Sequence, residues 1–271
     1  MIDLNDFICF HSNEIEIGID LSDSDKIFSS LENTELKKEY LLASTPKHIV
    51  KYNQFYIKKN LVTVNEFRTF IRESNYITDS ENEGWGWIWD GKWIKKKNVS
   101  WERPFLDISD DFYIENADVF PVMQVSWKDA EAYIKWLSLK TGKIFRLPYE
   151  FEWEVLAQYA DYNSIFFTDK TNILNFNTDK NYILKINEKL AESKFQIGLV
   201  WEWMIDWYSG YDKSIQNKDF GFIYKILRGG SLLSENYQRT KEFRFRRCPS
   251  ARSPYYSFRI VYTSSNAEKS P

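Results

Sequence analysis

The stretch Pro121–Glu154, PVMQVSWKDAEAYIKWLSLKTGKIFRLPYEFEWE, decides the fold. It predicts two helices joined by a turn. Ser126 stands where an N-cap belongs, and Asp129 three residues on completes a capping box. Ala130, Tyr133, Ile134 and Leu137 then recur at helical spacing on one face. Gly142 is placed to end this helix, because glycine takes the left-handed conformation of a helix terminus without a steric penalty. A second helix should begin after Pro148 and carry Phe151, Trp153, Val155 and Leu156. Its acidic first turn, Glu150 and Glu152, suits the positive end of a helix dipole.

Working outward, His48–Lys58 (HIVKYNQFYIK) alternates apolar and polar residues and predicts one strand. Thr63 and Glu66 form another capping box ahead of a helix bearing Phe67, Phe70 and Ile71, with Asn75 near its end. Five tryptophans fall between Trp85 and Trp101, with Gly84, Gly86 and Gly91 among them. This predicts an irregular aromatic loop, its rings either pinned on the core or forming a ligand wall. At the N-terminus, FICF and IEIGI flank His11-Ser12-Asn13 and predict an edge hairpin over 7–19. The polar stretch Leu21–Thr45 suits a surface loop or a short helix, and residues 160–195 are loop-like. Short strands are expected at VWEWM, YKILRGGS and YSFRIVYT, with a flexible tail at 264–271. Helices early and strands late imply one α+β domain over 1–271, with few helices, short antiparallel strands and long loops.

Composition narrows the function classes. Aromatic residues make up 18% of 271 residues, ample for a packed core. A net charge of −3 gives no bulk drive toward nucleic acid or membranes. Cys9 and Cys248 are the only cysteines, and the first twenty residues lack the basic and apolar regions of a signal peptide. No stretch reaches the ~20 apolar residues of a transmembrane helix. A soluble cytoplasmic protein with reduced thiols is expected. His11 and His48 are the only histidines, and both suit surface or strand-edge positions. Neither has a Cys/His cluster around it from which to build a metal site.

Five ordered segments carry a resemblance. They are FYIKKNLVTVNEF (Phe55–Phe67), the Pro121–Glu154 stretch, GLVWEWMIDWY (Gly198–Tyr208), ILRGGSLLS (Ile226–Ser234) and SFRIV (Ser257–Val261). Together, over about 48–262, they resemble the formylglycine-generating-enzyme/sulfatase-modifying family. The resemblance implies an irregular domain similar to the C-type lectins. It also implies copper-dependent or iron-dependent oxidative chemistry in some members, and non-catalytic ligand binding in others.

Tested residue by residue, the chemistry does not carry over. The copper-binding members use two cysteines, with four residues between them, between R-G-G-S and the closing F-R. Aligning Arg244, Pro249 and Phe258-Arg259 without a gap puts Asn236 and Lys241 at those positions. Soft copper(I) wants thiolates, and an amide and an ammonium supply neither softness nor negative charge. The iron branch needs a histidine cluster that two isolated histidines cannot supply. For calcium, the resemblance leaves Glu202 as a candidate ligand, but Phe195 and Leu199 stand where oxygen-bearing residues are common. Glu202 is then expected to pair with an arginine, Arg228 or Arg259.

The resemblance places Trp201 on the wall of the family's groove and Asn236 and Lys241 at its floor. Lys241 could act as a base or Schiff-base lysine if desolvated, but a solvated or ion-paired lysine is the simpler expectation. Arg239–Arg259 interleaves arginines with aromatics. Arg244 and Arg259 should anchor loops through carboxylates and carbonyls. Arg246, Arg252, Tyr255 and Tyr256 are candidates to meet a ligand or partner. The leading expectation is a non-catalytic member without a cofactor that binds a protein or peptide, as a recognition module of bacterial conflict, defence or regulatory systems. An enzyme with diverged or metal-free chemistry, and a structural subunit of a larger assembly, are the rivals.

Overall fold

The computed structural model describes residues 3–23, 34–105, 115–160 and 195–263. The expected loop at 160–195 falls almost wholly outside these residues, and the expected tail at 264–271 lies entirely outside them.

The deciding stretch folds as its spacing requires. Helix α4 (Trp127–Thr141) starts at Ser126, whose hydroxyl accepts from the Asp129 N–H while the Asp129 carboxylate accepts from the Ser126 N–H. It stops at Gly142 with φ 69°. Helix α5 (Glu150–Tyr159) follows Pro148 and buries Trp153, Val155 and Leu156. Earlier in the chain, α1 (Thr34–Ser44) realises the short-helix option for the polar N-terminal stretch. Helix α2 (Val64–Ser74) has the Thr63/Glu66 capping box and ends at Asn75 with φ 52°. A fifth helix, α3 (Asp79–Glu83), is a single turn.

Strand assignment needs three corrections. The N-terminal pair β1 (Phe7–Phe10) and β2 (Asn13–Ile17) is not a hairpin. Both pair instead with the next strands, β1 with β4 (Phe55–Lys58) and β2 with β3 (His48–Tyr52). The register runs unbroken across the gap, from Phe10 opposite Phe55 to Asn13 opposite Tyr52, so two long arms lie side by side. Second, the expected single strand 48–58 is interrupted at Asn53-Gln54, where the Ser12 hydroxyl accepts from the Gln54 N–H at 3.0 Å. Third, the tryptophan-rich segment is a regular hairpin, β5 (Trp85–Trp89) with β6 (Trp93–Lys97), and not an irregular loop. Period-two alternation of Trp with smaller residues was the signal, and the glycines obscured it. Only Trp101 of the five is a deep core residue, at 1% exposure.

After β7 (Phe145–Arg146), the late segments β8 (Trp201–Trp207), β9 (Lys225–Arg228), β10 (Phe245–Arg247), β11 (Tyr256–Ser257) and β12 (Val261–Tyr262) complete two four-stranded sheets. One has the order β1-β4-β12-β7 and the other β10-β9-β8-β11, with β11 parallel to β8 and the other pairs antiparallel. The predicted strand 256–263 is thus split between both sheets. Between its halves, Phe258 and Ile260 are fully buried. Apolar rings dominate the core: Phe67 meets Trp101, Tyr133 and Phe258 at centroid distances of 5.4–6.4 Å.

Candidate functional site

A layer of buried charge runs under the late sheet. Glu150, in the first turn of α5, accepts from Arg244 Nε and Nη2 at 2.7 and 2.8 Å, and from Arg228 Nη1 at 3.0 Å. The Tyr211 hydroxyl adds a fourth donor at 3.2 Å. One turn on, Glu154 accepts from Arg228 Nη2 at 2.6 Å. Asp206 on β8 accepts from the Glu150 N–H at 2.8 Å. Arg244 also donates to the carbonyls of Ala43 and Ser209, and Arg228 to that of Lys241.

Three carboxyl groups therefore face two guanidinium groups, Glu150 and Glu154 in a dry interior and Asp206 half-buried at its edge, where a surplus anion is costly. Burial opposes the charge on Glu150, but Arg244 and Arg228 overcome it and hold the carboxyl below its usual range. Burial pushes Glu154 up to about 7 against the pull of Arg228 and Lys241. Burial, with the Glu150 charge beside it, pushes Asp206 up to about 7 as well. Between the ordinary carboxyl range and pH 7 the folded state thus holds protons that the unfolded chain has released. Stability attached to these two groups is present at acidic pH and is lost as pH rises through 7. The urea midpoint should fall between pH 5.5 and pH 8, and Glu154→Gln should flatten that slope. An unchanged slope in the variant would show that Glu154 does not carry the proton.

A second buried pair closes the domain. Arg259 Nη2 donates to Glu202 Oε1 at 2.8 Å, and its Nε donates to Oε2. The same guanidinium reaches the carbonyls of Lys58, Lys59, Phe195 and Gln196 at 2.7–3.4 Å. Both Glu202 oxygens are therefore engaged by a fixed cation. Glu202, the weak calcium candidate, is the counter-ion of Arg259, one of the two expected arginines, while Arg228 serves Glu150 and Glu154 instead. Arg244 and Arg259 anchor loops as expected.

The residues expected to meet a ligand are mostly internal. Trp201 is 5% exposed and stacked on Phe245 at 4.7 Å, so it is a core ring and not an open groove wall. Tyr255 and Tyr256 are buried, the latter edge-on to Trp203. Arg252 is buried on the ring of Trp85, where it holds the Glu83 carboxylate and the Trp85 carbonyl. Arg246 is paired with Glu39 and Asp219. Tyr255, Tyr256 and Arg252 are thus engaged in internal packing, and Arg246 in ion pairs at a half-buried position. Asn236 opens a 3-10 turn (Asn236–Arg239), and Lys241 follows it. Lys241 keeps about a quarter of its side chain exposed and pairs with Glu242 at 3.0 Å, as expected for an ion-paired lysine.

Sequence reasoning missed Asp206 and the full role of Glu150, because their partners lie far away in the chain. It also missed Lys225, held between the rings of Trp127 and Trp207 at 4.1 and 3.8 Å and donating to the Ile205 carbonyl. Burial lowers the Lys225 ammonium to about 8. A cleft of about 260 Å³ opens beside Tyr52, Arg146, Tyr149 and Phe151, and none of the residues expected to meet a ligand or partner lines it. Cys9 on β1 and Cys248 beyond β10 are both free thiols. Among the described residues, no group of three or more His, Cys, Asp or Glu side chains is arranged to hold a metal, and no helix is long and apolar enough to cross a membrane.

Comparison with known proteins agrees with this geometry. A family model described as a sulfatase-modifying factor enzyme 1-like domain matches residues 27–264. The Bos taurus protein named Inactive C-alpha-formylglycine-generating enzyme 2 is 26% identical over 241 residues, covering 74% of each chain. A Streptomyces coelicolor protein named Formylglycine-generating enzyme is 33% identical over 131 residues, 42% of this chain and 39% of its own length. In three dimensions, PvdO from Pseudomonas aeruginosa superimposes with a TM-score of 0.59 at 15% identity over 95% of this chain and 94% of its own, a likeness of fold. With the family model spanning most of its length, the chain belongs to the sulfatase-modifying factor enzyme 1-like family.

Proposed function

We propose that this chain is a non-catalytic member of its family that binds a protein or peptide partner on the surface around Lys241. One observation carries the reading: the positions aligned with the copper-binding cysteine pair are Asn236 and Lys241. The donor set does not fit copper, because an amide and an ion-paired ammonium cannot replace two thiolates. The cysteines the chain does have, Cys9 and Cys248, lie on β1 and just after β10, outside that pair. The similarity to a relative named as inactive points the same way.

Metal analysis and partner capture test the reading together. The purified chain should take up less than stoichiometric copper or iron, and it should capture a protein from its native host. Lys241→Glu should weaken that capture about tenfold or more, the loss expected when a charge reversal costs about 1.4 kcal/mol. Stoichiometric copper or iron would favour the enzyme reading. A complex untouched by Lys241→Glu would favour a structural subunit.

A further inference from the structure

Hairpin β5–β6 is a ribbon with two unlike faces. Its register sets Trp85 opposite Lys97, Trp87 opposite Lys95 and Trp89 opposite Trp93. Alternation puts these six side chains on one face. Gly86 and Ile88 lie on the other face and are buried. A Cβ at Gly86 would sit 2.6 Å from Val99 and 2.9 Å from Gln124, so that inward face is seated closely. The outward face is open toward the turn, where Trp93 is 45% exposed and Trp89 36%, while Trp85 is half-buried against Arg252.

The indoles are arranged in pairs. Trp85 meets Trp87 edge-on at 5.6 Å, and Trp89 meets Trp93 edge-on at 5.3 Å. Lys95 Nζ lies 3.9 Å from the Trp85 ring centre and 5.5 Å from that of Trp87. Lys92, Lys95, Lys96 and Lys97 are all exposed. The two backbone edges also differ. On the β5 side, the Trp85 carbonyl accepts from Arg252 and the Trp87 carbonyl from Gln124. On the β6 side, no further strand is paired among the described residues. Trp93 also packs edge-on against Tyr255, which immediately precedes β11 of the late sheet.

Lysines on an edge strand shield it against chance pairing. Shielding alone does not account for the two exposed indoles, Trp89 and Trp93, on the same ribbon, since exposed aromatic surface of this kind is a feature of recognition sites. We propose that the outer face and free edge of β5–β6 bind an extended acidic peptide segment, which adds as a third strand beside β6. Main-chain hydrogen bonds to the open edge would supply affinity, and side chains at alternate positions would supply selection. Carboxylates would meet Lys95 and Lys97, and apolar side chains would rest on Trp89 and Trp93. A peptide fits better than a single-stranded nucleic acid. Its backbone completes the β6 ladder, and a chain of net charge −3 lacks the broad positive field that draws in a phosphate backbone. The proposal rests on the partner-binding reading and names the chemistry of the partner.

The test uses the full chain and three fluorescent probes: an alternating Glu-Thr peptide, its Gln-Thr counterpart and single-stranded oligothymidylate. The acidic peptide should bind, change tryptophan emission and weaken with added salt. The double variant Lys95→Glu/Lys97→Glu should weaken it about tenfold or more. The milder Lys95→Gln/Lys97→Gln should show an intermediate loss, and Lys135→Glu, at an exposed position on α4, should leave this peptide's affinity unchanged. Equal binding of the Gln-Thr peptide, tighter binding of oligothymidylate, no binding of the acidic peptide, or indifference to both double variants would each overturn the proposal. Capture of the native partner by wild type and Lys95→Glu/Lys97→Glu alike would remove the hairpin assignment and leave the partner-binding reading standing. Failure to capture any partner would remove the broader reading.

Discussion

Glu150→Ala should be among the most damaging single changes in this protein, lowering stability by about 3–5 kcal/mol. The carboxylate is the shared acceptor of Arg228 and Arg244, two arginines that are at most 2% exposed. Removing it leaves Arg228 with Glu154 as its remaining acid and Arg244 with backbone carbonyls alone. Bringing a cation from water into an apolar interior costs several kcal/mol when its counter-charge is gone. Such a loss is a large share of the 5–15 kcal/mol that ordinarily holds a domain folded. Glu152→Ala is the internal comparison. Glu152 pairs with Arg146, whose side chain is 21% exposed and rests on Tyr149, so water can take over part of the lost contact. Urea unfolding of the two variants should place Glu150→Ala well below Glu152→Ala. Equal midpoints would show that the Glu150 cluster does not govern stability.

Arg259→Met carries the second large effect, also about 3–5 kcal/mol. Methionine approximates the aliphatic stem but none of the donors. The Glu202 carboxyl would be left without its partner at 0% exposure, and four carbonyls would lose a shared donor. Lysine should not rescue the position, since one ammonium cannot reproduce a planar fork that reaches a carboxylate and four carbonyls. Adding Glu202→Gln to Arg259→Met should recover a measurable part of the loss by removing the stranded carboxyl. Strictly additive losses in the double variant would show that the two side chains act independently.

Most of the fold was legible where physics is local. The capping boxes at Thr63 and Ser126 and the left-handed stops at Asn75 and Gly142 lie within a few residues of what they satisfy. Strand pairing is not local. FICF and IEIGI look like partners because they are adjacent, yet each finds its mate about forty residues away in β4 and β3. The tryptophan hairpin was hidden for a related reason. Glycine usually marks a break, but Gly86 is there because Val99 and Gln124 leave no room for a side chain. At the site, the loss of the cysteine pair could be read directly, since it is a matter of residue identity. Whether Trp201, Arg252 or Tyr256 faces water could not, because burial depends on which distant segments cover them. Arginine beside aromatics describes a binding surface and a packed interior equally well, and here Arg252 on Trp85 and Arg244 on Tyr211 belong to the interior.

The split of the last strand has a mechanical consequence. Tyr256–Ser257 is stitched into one sheet and Val261–Tyr262 into the other, with Arg259 bolted to Glu202 between them. Seven consecutive residues thus rivet both layers together, and neither sheet can peel away while that rivet holds. The domain should yield as one cooperative body.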